Sequence, residues 1–207
     1  MQQELLPLFP LKLVLLPNAH LALHIFEERY KEMIGDAIAN KTEFGIVLAS
    51  EKGIVNTGCT AVVEKVIKRY EDGRMDIVAT GRRRFEILLL NEEKDYLRGA
   101  VEFFDDEDSR TPSAEATSKV EAIYEDLKHL APGEEFSMTA PDAPLSFHVA
   151  HSVPDLNFRQ VLLATRSEAD RIQRLAEYLP AIVARLRLIE HVKVVAPTNG
   201  HARHTSF

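Results

Sequence analysis

Tryptophan is missing from this sequence, and cysteine occurs once, at Cys59, among 207 residues. A single thiol can form neither an internal disulfide nor a cysteine-based zinc site, which suits a reducing cytoplasm. Cys59 itself reads as a small, half-buried apolar residue beside a strand. No apolar run reaches bilayer length. The longest, residues 11–23, is interrupted by Lys12, Pro17, Asn18 and His20, so no membrane association is expected. Glu4 stands where an export signal wants a basic residue, and Pro7 and Pro10 break the apolar stretch. Basic residues are in deficit: 25 Lys and Arg against 32 Asp and Glu give a net charge of -7. That balance disfavours a phosphate backbone as partner.

Nucleotide and catalytic signatures are missing too. The chain has no G-x-x-x-x-G-K-[ST], no G-x-G-x-x-G, no G-x-S-x-G and no H-E-x-x-H, so no cofactor and no catalytic residue are expected. His20 and His24 fall in a turn and strand, where four residues of rise, about 13 Å, separate them too widely for one metal ion. His148 and His151 share a helix face but have no third ligand beside them. His201 and His204 lie in a polar tail. No metal site is expected.

What is present divides in two. Residues 5–16, 21–25, 44–49, 60–70, 75–80, 84–90 and 96–104 read as strands. Glu71-Asp72-Gly73-Arg74 supplies a hairpin turn between two of them, and Gly81 interrupts the run that follows. A single helix is expected between them, with Tyr30, Met33, Ile34, Ala37 and Ile38 on its apolar face and Asn40 at its stop. The second half is helical. Thr111-Pro112 looks like a helix start, Val120, Ile123, Tyr124 and Leu127 form a stripe, and Pro132-Gly133 closes that segment. Shorter helices follow near residues 145–152 and 158–165. Ser167-Glu168-Ala169-Asp170 resembles a capping box opening a last helix that Pro180 should kink. Strands then helices argue an α+β fold: a β-rich module over residues 1–108, a helical bundle over 109–196, and a flexible tail from 197 to 207. The acidic run Asp105, Asp106, Glu107 and Asp108 reads as a solvated linker, and Arg82, Arg83 and Arg84 as a solvated strand entrance.

In order, LPLFPLKLVLLPNAHLALHIFEERYKEMI, FGIVLA, VNTGCTAVVEKVIKRYEDGRMDIVATGRRRFEI and YLRGAVEFFDDED resemble the N-terminal substrate-binding domain of Lon proteases. The likeness continues more weakly through SFHVAHSVPDLNFRQVLLATRSEADRIQRL. It implies a PUA-like pseudo-barrel followed by helices, of bacterial type, here without the ATPase and peptidase modules. It also implies recognition of unfolded or degron-bearing polypeptides, in the role of an adaptor or regulator of proteolysis, with a protease or chaperone as further partner. Where the family often has Pro-Gly in its first turn, this chain has Pro17-Asn18, and asparagine tolerates the left-handed conformation. Within HIFEERY, Phe26 is expected as a core plug, with Glu27 and Arg29 as helix-start charges. RNA binding is the other function open to PUA-like barrels, and the acidic balance opposes it. If residues 11–16 continue as a strand, Lys12 marks a wet face, which would leave Val14 and Leu16 partly exposed beside Leu21 as a polypeptide-binding patch. The competing reading is that packing buries that face.

Overall fold

Asp72 and Gly73 turn the chain between the two longest strands. Gly73 adopts φ +82°, which a residue without Cβ reaches at little cost, and the Tyr70 and Arg74 backbones close the loop. The computed structural model describes residues 5–130 and 143–195. Its elements are β1 (Leu6–Leu11), β2 (His20–Ile25), α1 (Glu28–Asn40), β3 (Phe44–Ser50), β4 (Gly53–Arg69), β5 (Met75–Asn91) and β6 (Arg98–Phe104). The helices α2 (Ala114–Leu130), α3 (Leu145–Ala150), α4 (Leu156–Ala164) and α5 (Glu168–Val195) follow. Strands precede helices, and the fold is α+β.

β1 pairs in parallel with β3 and antiparallel with β6, while β3–β4, β4–β5 and β5–β6 are antiparallel. Those five pairings close a ring. β2 lies outside it and pairs with the first half of β5, from His20↔Thr80 to Ile25↔Met75. Alternation along the strands separates two cores. Leu8, Val47 and Phe85 fill the enclosed side, with Leu6, Ile54, Ile87, Leu97 and Val101 around them. Gly45 and Gly58 make room for the Phe85 ring: an added Cβ would meet it at 2.7 and 2.5 Å. The opposite side, including Phe44, Ile46, Cys59 and Ala61, belongs to the main core, which continues without a break into Val120, Leu127, Leu162, Leu175 and Leu179 of the helices.

Several expectations are corrected. β5 runs unbroken through Gly81, whose bare Cα admits the Leu16 carbonyl; an added Cβ would stand 2.3 Å from that oxygen. Lys41, at φ 54°, rather than Asn40, takes the left-handed position that ends α1. Ser113 begins α2 in place of Thr111, its Oγ accepting from the Ala116 N–H at 3.1 Å. Cys59 is fully buried within β4, not half-buried beside a strand, and burial pushes its thiol up to about 12. Asn18 has φ 62°, the left-handed conformation expected of it. Ser167 Oγ accepts from the Asp170 N–H, as a helix cap should, and α5 continues through Pro180. Pro132-Gly133, the tail from residue 197, His201 and His204 lie outside the described residues.

The acidic run is not a solvated linker. Asp106 accepts from Arg84 at 2.7 Å and from Arg171 through both carboxylate oxygens at 2.6 Å. The Arg171 side chain is wholly buried and also bonds Glu168, Ser146 and the Thr165 carbonyl. Arg84 donates in addition to the Leu163 and Thr165 carbonyls. Burial opposes the charge of Asp106, but the hydrogen bonds from Arg171 and Arg84 outweigh it and hold its carboxyl below the ordinary carboxylate range. One acid thereby joins β5 to α5.

Candidate functional site

Val14 and Leu16 do not form an exposed patch. They are 5% and 0% exposed and belong to the main core, and Leu21 is half-buried. β1 ends at Leu11, so strand alternation does not extend to residue 16. The chain instead folds over Gly81. Phe26 is the reverse case. Expected in the core, it is 59% exposed, and its ring lies 6.0 Å from that of His24.

Exposed apolar surface occurs elsewhere. A groove of about 600 Å³ opens beside the enclosed core, lined by Leu5, Leu6, Pro7, Val101 and Phe103, with Thr42, Glu43 and Arg83 completing its wall. Leu6 and Val101 pack against the Leu8, Val47 and Phe85 cluster from this side, so the groove is floored by the barrel's own core. The Arg83 guanidinium lies 3.7 Å from the Phe103 ring centre and bonds Glu43 at 2.9 Å. That pairing fixes the rim and neutralises it. Next along β5, Leu88, Leu89 and Leu90 are 61%, 66% and 41% exposed. The ladder to β6 is irregular between Ile87 and Leu89, at the start of this run. An apolar pocket with a polar rim is what an apolar side chain of another polypeptide requires.

The polar clusters are self-contained. His20 Nδ1 lies 3.0 Å from Thr80 Oγ1, which donates to Glu64. His24 Nδ1 lies 2.5 Å from Asp76, which also accepts from Tyr70 at 2.8 Å. His148 meets the Tyr124 hydroxyl at 3.1 Å. Among the described residues no three histidine, cysteine or acidic side chains converge as metal ligands, and no helix is long and apolar enough to cross a membrane. Of the three consecutive arginines, Arg83 pairs with Glu43 and Arg84 is buried on Asp106; Arg82 is exposed and makes no ion pair among the described residues. The triplet is not a basic surface.

A family profile for the ATP-dependent protease La (LON) substrate-binding domain matches residues 5–183. The chain belongs to the Lon substrate-binding domain family. It is similar to a Lon protease of Parabacteroides distasonis, 25% identical over 158 residues, covering 72% of this chain and 19% of that protein. It thus spans about a fifth of that relative's length. Its fold is similar to a Lon N-terminal domain protein from Xanthomonas campestris, with TM-score 0.68 and 22% identity over 84% of this chain and 98% of that one. It is similar also to the N-terminal domain of a Mycobacterium avium complex Lon protease, with TM-score 0.59 and 17% identity over 86% and 98%.

In this Lon-type domain, the HIFEERY block spans the end of β2 and the start of α1, and the GRRRFEI block supplies the central turns of β5. HIFEERY does not line the groove, whereas GRRRFEI gives it Arg83 in the wall and Phe85 in the core beneath. The groove residues Leu6, Val101 and Phe103 were not singled out from the sequence. One signal did exist for the surface beside them: three successive leucines at the end of a strand cannot all face inward.

Proposed function

We propose that this chain is a non-catalytic polypeptide-recognition module, taking apolar side chains of unfolded or degron-bearing segments into the groove between β1 and β6. The observation that carries this is the groove itself, a pre-formed apolar cleft with a neutralised rim, with the exposed Leu88, Leu89 and Leu90 as further apolar surface on β5. Its place in the Lon substrate-binding family supports the same reading. Such a module would act in the cytoplasm as an adaptor or regulator of proteolysis, delivering clients to a protease or chaperone. RNA binding finds less support, because two of the three clustered arginines are committed to internal acids.

The test is a double variant, Leu89→Asp with Phe103→Asp, titrated against reduced, carboxymethylated lactalbumin as a permanently unfolded probe. Binding should weaken at least tenfold, about 1.4 kcal/mol, with an unchanged melting temperature. Raising salt should alter the wild-type affinity little, whereas a steep decline would indicate a phosphate-backbone ligand. Undiminished binding by a folded double variant would sink the assignment.

A further inference from the structure

The β2 strand lies outside the closed ring and has β5 as its one ladder partner among the described residues. Its hydrogen-bonding phase can be read from its neighbours. The Gly81 N–H donates to the Ala19 carbonyl at 2.8 Å and the Gly81 carbonyl accepts from the Asn18 N–H at 3.0 Å, so Gly81 turns both backbone groups towards the β2 side of β5. Bonded and non-bonded pairs alternate along antiparallel strands. Leu21, Leu23 and Ile25 therefore face β5 with their backbone groups, and Ala22 and His24 direct theirs away. Side chains approach more closely at non-bonded pairs, which agrees with the 2.5 Å contact between His24 and Asp76. The outward N–H and C=O groups of Ala22 and His24 meet no partner among the described residues.

Exposed edges are normally blunted by lysines, bulges or prolines. β4 shows the usual protection. Past Ala61 it loses β3 as a neighbour, and there it carries Lys65 and Lys68 and ladder irregularities at Val63/Lys65 and Val66/Lys68. β2 has none of these devices. Its register is regular over six residues, HLALHI, with no proline, lysine or acid. The edge is also matched in charge to an uncharged strand, since the imidazoles on its exposed face already turn to Glu64 and Asp76. An incoming strand would set alternate side chains beside the half-buried Leu21 and Leu23 on one face and beside His24 and the exposed Phe26 on the other.

We propose that the outer edge of β2 receives an extended, alternately apolar segment of a client polypeptide as an added antiparallel or parallel strand. This deepens the polypeptide-recognition reading and rests on it. The backbone edge supplies contacts that any sequence provides, and the groove at β1 and β6 supplies preference for apolar side chains.

Ala22→Pro deletes one outward N–H without touching the β5 ladder, a position where edge strands tolerate proline. Ala22→Val keeps the N–H. The probe is a ten-residue peptide alternating valine and threonine with two terminal lysines. Wild type and Ala22→Val should bind it equally, and Ala22→Pro at least tenfold more weakly. A test independent of the variants uses the wild-type protein with peptides N-methylated on one or the other alternate set of residues. One set should abolish binding and the other leave it intact. If both methylated peptides bind, or a folded Ala22→Pro binds as wild type, strand addition is wrong. Carboxymethylated lactalbumin then separates the two proposals: binding retained by Ala22→Pro and lost in the groove variant leaves polypeptide recognition standing without the edge. A wild-type dimer dispersed by Ala22→Pro, with no peptide bound, would overturn the proposal in favour of self-pairing.

Discussion

His151 follows α3 with its Nε2 buried and without a hydrogen-bond partner among the described residues. Burial, with Arg159 and His148 adding to it, pushes its imidazole down to about 4 from an ordinary 6.5. Between those values the unfolded chain binds a proton that the folded chain refuses, so stability falls as pH drops from 6.5 towards 4. The loss amounts to about 2–3 kcal/mol, allowing for partial exposure of the ring. Urea midpoints at pH 7 and pH 5 should differ for wild type and converge for His151→Leu. An equal pH dependence in both proteins would assign the acid sensitivity elsewhere. Cys59 makes the opposite point: buried and held in its thiol form, it is a packing residue and not a reactive one.

Between elements, the Asp106 clamp is the contact with most at stake. Removing one member of a buried ion network leaves the others charged and unpaired, which costs more than the pair contributes. Asp106→Asn should destabilise the protein by about 3 kcal/mol in urea unfolding, since the buried Arg84 loses its acid and the fully buried Arg171 keeps Glu168 alone. A loss under 1 kcal/mol would mean that water replaces the carboxylate. Because Asp106's folded value is depressed, its contribution is fully present above the ordinary carboxylate range and is lost as pH falls through the depressed value. The clamp was not legible in the sequence. Four successive acids look like a hydrated linker until their partner, 65 residues away at Arg171, is known. Elements set by local patterns were legible: the Asp72-Gly73 hairpin, the apolar stripe of α1 and the Ser167 cap of α5. Val14, Leu16 and Gly81 were misjudged for one reason. Which side of residues 12–19 is buried depends on a backbone crossing over Gly81, a contact between segments that no periodicity encodes. The groove shared that difficulty, being assembled from β1, β5 and β6.

For the molecule as a whole, barrel and helices share a single main core. A fragment ending at residue 112 would expose the side that includes Phe44, Ile46 and Cys59, and would leave Arg84 with Asp106 but without Arg171. It should lack a cooperative thermal transition and bind a hydrophobic dye, whereas residues 5–195 should melt in one step. A sharp, reversible transition in the fragment would show that the barrel is self-sufficient. The β1 pairing carries a further consequence for how the chain is made. The first strand is held between β3 and β6, and the clamp awaits α5. On the ribosome β1 must therefore remain unpaired along one edge until Arg98 and Gly99 have been translated, and Asp106 lacks its second cation until Arg171 emerges. A pause in synthesis between those two points would hold a barrel whose helix-facing core is still uncovered, at a stage when a nascent chain is prone to misassociate.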